Sequence, residues 1–225
     1  MNLAKPRMDV GLFTADLVPT LAFWREEIGA TPDHLLKIRR GQDQHRHDLR
    51  GSVLKINHGT EPLPAAPASG YHQLLVAGGG AGMGLPRVDP TGAGVMLVAP
   101  GDEGVTQIGM RILVRDLETH RRFYGQALGL PEESRGRFRA GESLILLEES
   151  PAALFDSPVR GPGWRYITFQ VFKVDDEYAG AVERGAWAAT APVTLGETAR
   201  IAMIKDPDGN CIELSQRASI VGTLT

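Results

Sequence analysis

Four of the six histidines, His45, His47, His58 and His72, fall between positions 45 and 72. Neutral imidazole ligates metals and titrates near neutrality, so with Asp9 this group is a candidate for an unorthodox metal or acid–base site. The plainer reading is a polar edge strand, because Arg46 and Asp48 are interleaved with His45 and His47. Lys55 is more pointed. It stands between Leu54 and Ile56, so period-two alternation puts its ammonium and the Asn57 amide on the face opposite those aliphatic residues. An ammonium there needs an anion, either Asp9 or the carboxylate of a ligand. Alternation further along the chain places Arg111, Tyr166, Thr168, Gln170, Cys211, Glu213 and Ser215 on one polar face, with Ile167, Phe169, Ile212 and Leu214 on the other. In the functional reading Arg111 is a fork for a carboxylate or enolate, Glu213 a general base and Tyr166 a donor to a developing oxyanion. Lys55, Asn57, His72, Thr168 and Gln170 then supply substrate contacts. The competing reading pairs Arg111 with Glu213 as an internal ion pair in an inert pocket. Cys211 reads as a small buried filler. His120, beside Arg121 and Arg122, reads as solvent-facing, and Trp24, Trp164 and Trp187 read as packing residues.

Those residues are positioned by an internal repeat. Laid on itself with an offset of 100, the chain matches Asp16-Leu17 to Asp116-Leu117, Phe23-Trp24 to Phe123-Tyr124 and Ile28-Gly29 to Leu128-Gly129. Each copy reads as a strand, an Asp helix cap, an amphipathic helix and a glycine stop. Leu17, Leu21, Trp24 and Ile28 occupy one helical face, and Ile108, Met110, Ile112 and Val114 one strand face. A second echo links Asp89-Pro90-Thr91-Gly92 to Asp206-Pro207-Asp208-Gly209, in each case a tight hairpin followed by an apolar strand. Further strands are expected around 52–57, 71–77, 143–148 and 166–171, and a helix over 175–184 stopped by Gly185. The helix expected after Ala77 is replaced by Gly78-Gly79-Gly80-Ala81-Gly82, and Pro62, Pro64 and Pro67 mark a linker. The fold class is α+β, with four successive units in two related halves, 1–104 and 105–225.

At about 150 residues per domain, 225 residues make one and a half domains, a fraction that the repeat resolves. A net charge of −3 with 42% apolar residues argues for a globular protein without a nucleic-acid surface. One cysteine permits no internal disulfide, no apolar run reaches membrane length, and the N-terminal stretch lacks a signal peptide's apolar core. A cytoplasmic location, without membrane or nucleic-acid partners, is the default expectation. The glycine run 78–84 lacks the Lys-Ser/Thr of a phosphate loop.

Asp116-Leu117, Phe123-Tyr124, Leu128-Gly129 and the stretch from Asp206 to Leu214 together resemble the vicinal oxygen chelate superfamily of glyoxalase I, bleomycin-resistance proteins and extradiol dioxygenases. That resemblance implies tandem βαβββ units curling into open, cup-shaped mixed sheets with helices outside, a small-molecule ligand, and scope for a homodimer. It also implies a divalent metal in the cup. The matching ligand positions are Gly109, Tyr166 and Glu213 in the second half, and Asp9, Lys55, His72 and Met96 in the first. Only Glu213 is a usual ligand among the second-half positions, with Gln107, His45 and His47 as substitutes; a Lys ammonium offers a metal no lone pair. The expected function is an enzyme acting on a small oxygenated metabolite, a glyoxalase-type lyase or isomerase or a dioxygenase-like oxidoreductase. The alternative is a metal-free, non-catalytic binder of the resistance type.

Overall fold

The computed structural model describes residues 1–79 and 82–224. Four units follow one another. The first contains β1 (Asp9–Thr14), α1 (Leu17–Ala22), β2 (Thr31–Arg39), β3 (Gln42–Leu49) and β4 (Ser52–Gly59). The second has only β5 (Tyr71–Ala77), β6 (Pro86–Val88) and β7 (Gly94–Val98). Of the glycine run expected to replace its helix, Gly80 and Ala81 lie outside the described residues. The third has β8 (Ile108–Val114), α2 (Leu117–Arg122), β9 (Glu132–Ser134), β10 (Arg137–Ala140) and β11 (Ser143–Glu149). The fourth has β12 (Gly163–Gln170), α3 (Val174–Glu183), β13 (Trp187–Leu195), β14 (Ala199–Lys205) and β15 (Cys211–Arg217), followed by the short α4 (Ala218–Val221). Among the described residues no helix is long and apolar enough to cross a membrane.

The repeat extends to the backbone. Both α1 and α2 widen into a π turn at the aromatic pair, over Phe23–Glu27 and Phe123–Ala127. The Ile28 and Leu128 amides donate to the Phe23 and Phe123 carbonyls at 3.3 and 3.0 Å. Asp116 caps its helix by accepting from the Thr119 amide at 2.6 Å, whereas Asp16 makes no such bond. The two Asp-Pro turns are pinned alike: Trp24 Nε1 donates to Asp89 Oδ2 at 2.8 Å, and Tyr124 OH donates to Asp206 Oδ2 at 3.4 Å. His120 is buried rather than solvent-facing, 1% exposed, with Nε2 at 3.7 Å from Asp206 and 3.6 Å from Asp208. Its position on α2 faces the second Asp-Pro turn, a neighbour that local sequence does not reveal.

Two curled sheets result, in the orders β13-β14-β15-β12-β1-β4-β3-β2 and β6-β7-β5-β8-β11-β10-β9. Strand pairing within the units is parallel at β1–β4, β5–β7, β8–β11 and β12–β15. Antiparallel pairs β1–β12 and β5–β8 join the units. The first unit therefore shares a sheet with the fourth, and the second with the third, so each sheet takes strands from both sides of position 104. One large apolar core includes Val10, Leu12, Leu54 and Ile56 of the first sheet, Leu74, Val76, Met110 and Ile112 of the second, and the aromatic pairs of the helices.

Candidate functional site

The concave face of the eight-stranded sheet encloses a cavity of about 470 Å³. Gln44 and Arg46 of β3, Lys55 and Asn57 of β4, Tyr166 of β12, and Glu213, Ser215 and Arg217 of β15 line its polar floor. The ladder explains this convergence. Arg46 stands opposite Lys55, Lys55 opposite Gly11, Gly11 opposite Tyr166, and Thr168 opposite Glu213. Gly11 has to be glycine, because a Cβ there would lie 2.2 Å from the Tyr166 ring.

Lys55 is the centre of the floor. Its Nζ donates to Glu213 Oε1 and to Thr168 Oγ1, each at 2.7 Å, and lies 5.4 Å from the centre of the Tyr166 ring. The side chain is 2% exposed. Burial lowers its pKa from the usual lysine value, against the opposing pull of Glu213 and Asp9. Glu213 Oε2 accepts no hydrogen bond among the described residues and is free to meet a ligand.

Tyr166 OH accepts from Asn57 Nδ2 at 3.0 Å and from Gln44 Nε2 at 3.3 Å. With both acceptor positions used, the phenolic proton remains to be donated. Burial, aided by Glu213, raises the phenol above its ordinary pKa and keeps that proton in place. Asn57 is held by its bond to the Leu12 carbonyl at 2.9 Å, and Gln44 by its bond from Arg46 Nη1 at 2.8 Å. Cys211 is buried filler, its thiol pushed up to about 11 by burial.

Asp9 lies at the margin of this network and is not the direct partner of Lys55. It accepts from Lys5 Nζ at 2.7 Å, the Val53 amide at 2.8 Å and Gln170 Nε2 at 3.0 Å. Gln170 therefore serves Asp9. Burial would raise the Asp9 pKa, but Lys5 and Lys55 outweigh it and hold the carboxyl below its usual value.

Other candidates lie elsewhere. Arg111 belongs to the seven-stranded sheet, where it donates to Gln73 Oε1 at 2.6 Å and to both Glu103 oxygens at 2.9 Å. It neither joins Tyr166 nor pairs with Glu213, because β8 pairs with β5 and β11. His72 is exposed on β5. Gln107 precedes β8, its carbonyl accepting from Ala77. His45 and His47 alternate with Gln44 and Arg46, which puts them on the opposite face of β3, where His47 Nε2 accepts from Arg25 Nε at 3.0 Å. Gln44, Arg46 and Arg217 belong in place of Arg111 on the cavity floor. The alternation of Gln44 and Arg46 with the histidines was a usable signal for them.

The cup implied for a metal does not hold a fitting donor set. Lys55 presents an ammonium where a lone pair is needed, and Asp9 is already engaged with Lys5 and Gln170. Among the described residues, no three His, Cys, Asp or Glu side chains cluster as metal ligands. His45 and His47 do not repair this, since they lie on the face of β3 opposite the cup, where His47 Nε2 accepts from Arg25 Nε.

The cup of the seven-stranded sheet is filled. Leu75, Ala77, Val98, Val105, Leu144 and Leu146 form a separate buried apolar cluster there. Gly109 makes room for it, since a Cβ would lie 2.9 Å from Val105 and 3.1 Å from Leu146.

Residues 104–214 match the family model of the Glyoxalase/Bleomycin resistance protein/Dioxygenase superfamily. That segment, just under half of the chain, carries a domain of this superfamily. Glyoxalase I from Zea mays shares the fold with a TM-score of 0.70 at 14% identity, over 93% of this chain and 92% of that one. A point variant of the same Zea mays protein gives 0.75 at 12% identity, over 97% of each chain. For a candidate dioxygenase from Bacillus subtilis the TM-score is 0.65 at 10% identity, over 96% of this chain and 85% of that one. No curated protein matches the chain in sequence. At these identities the likeness establishes the superfamily fold, and the chemistry rests on the side chains of the cup.

Proposed function

We propose that this protein is an enzyme acting on a small oxygenated metabolite in the eight-stranded cup, by proton transfer that needs no metal. Support comes from the convergence of Lys55, Glu213 and Tyr166 on one cavity wall. Glu213 Oε2 takes a proton from a carbon next to a carbonyl, and the C–H electron pair moves to the carbonyl oxygen. Tyr166 O–H and the Lys55 ammonium stabilise the negative charge that develops there. Return of the proton from Glu213 to carbon completes an isomerisation or an exchange, so protons and electrons balance. The second reading, a non-catalytic binder, is favoured by the mutual neutralisation of Lys55 and Glu213.

The test is α-proton exchange into D2O, followed by 1H NMR over a panel of 2-oxo acids and α-hydroxy ketones, with EDTA present. The enzyme reading expects exchange by the wild type and a loss of about 10²- to 10⁴-fold in Glu213→Gln. Exchange that survives Glu213→Gln or disappears on chelation overturns it. Ligand-induced thermal shifts without exchange on any compound select the binder.

A further inference from the structure

The floor of the cup holds more positive charge than its own carboxylate can match. Lys37, Arg46, Lys55 and Arg217 line the cavity, against Glu213 alone, in a chain whose net charge is −3. Glu213 is committed to Lys55. Arg46 is 4% exposed, yet among the described residues its one side-chain hydrogen bond goes to the neutral Gln44 amide, and its Nε is buried without a partner. The guanidinium of Arg217, half-buried at the end of β15, has neither hydrogen bond nor ion pair among the described residues. The two guanidinium groups are close enough for Arg46, after burial, to lower the Arg217 pKa. A buried arginine is normally paired, and an orphaned donor costs free energy. Above this floor the walls are apolar: Leu36 and Ile38 from β2, Leu195 from β13, and Ile201 and Met203 from β14.

We propose that Arg46 and Arg217 clamp the oxyanion head, a carboxylate or phosphate monoester, of a small organic anion whose apolar body lies against the rim strands β2 and β13. The proposal rests on the reading of this cup as the site of function and deepens it by naming the ligand class. A guanidinium pair presents planar forks matched to such heads, and the locally positive, concave surface draws anions inward. The cavity volume suits a ligand of one ring with a short side chain.

Calorimetry and thermal shift with 3-phenylpropionate, phenyl phosphate, 3-phenylpropanamide and acetate test it. At least one aromatic anion binds about tenfold more tightly than the neutral amide, corresponding to the loss of one charge-assisted contact. The same anion outcompetes acetate, because only it covers the rim. The preferred head, carboxylate or phosphate, identifies the source of the oxyanion. Arg217→Gln and Arg46→Gln each weaken the anion by about tenfold and leave the amide unchanged; Arg217, being half-exposed, keeps the test valid if the Arg46 variant fails to fold. Equal binding of amide and anion, undiminished affinity in Arg217→Gln, or no anion binding overturns the clamp. Anion binding without α-proton exchange leaves the clamp standing and removes the proton-transfer reading. Exchange on a 2-oxo acid that is undiminished in both rate and KM by Arg217→Gln does the reverse.

Discussion

The two sheets are built from the same unit and put their concave faces to opposite uses. In the eight-stranded sheet the face stays open and polar, floored by Lys55, Glu213, Tyr166 and two arginines with no ion pair among the described residues. In the seven-stranded sheet Val105 and the leucines of β5 and β11 fill it, and Arg111 is drawn to the rim by Glu103 and Gln73. Position 9 of the first unit is an aspartate on the charged network, whereas its counterpart at 109 is a glycine under two aliphatic side chains. A cup thus stays open only where its strand faces carry polar groups that can satisfy one another; apolar faces collapse into core.

The largest effect is expected when the second cup is made to read like the first. Gly109→Asp pushes a Cβ against Val105 and Leu146 and places a carboxylate among apolar side chains. Overpacking and an unpaired charge together cost about 4 kcal/mol or more, read as a lower urea midpoint. Near-wild-type stability for this variant shows that the second cup can open, and the contrast between the cups fails.

Asp9→Asn tests whether charge belongs to the first cup. Its folded-state pKa lies below the ordinary aspartate value of 3.8, so its contribution is fully present above about pH 4 and fades as pH falls through that lower folded value. Urea unfolding between pH 2 and 6 should show a wild-type advantage of about 1–2 kcal/mol on the neutral side that shrinks toward pH 2. An advantage independent of pH contradicts the assignment.

Arg111→Gln is the smallest change. Its ion pairs with Glu103 and Glu148 lie at a partly exposed rim, so stability should fall by less than about 1 kcal/mol. Anion binding and α-proton exchange should be untouched. Loss of either moves function to the second cup.

Much of the fold was legible because its signals are local. The offset-100 repeat located both aromatic-bearing helices, Gly29 and Gly129 follow them at positive φ, and both Asp-Pro turns close as expected. The edge strands β2 and β13 were not legible, since they are mostly exposed and carry weak alternation. Of the site, alternation correctly grouped Lys55 with Asn57 and Tyr166 with Thr168 and Glu213, because a strand's side-chain period is local. It misplaced Arg111 and left out Gln44, Arg46 and Arg217, because alternation gives the face of a strand but does not name the sheet that strand enters.

By itself, then, the sequence determined four related units, their helices and turns, and which side chains share a strand face. Tertiary structure alone decided that the first unit closes with the fourth. That choice is made by the antiparallel β1–β12 pairing, with Gly11 opposite Tyr166, between segments about 155 residues apart. It brings Lys55 to Glu213, and burial then gives that pair, the phenol and the unmatched arginines their chemistry.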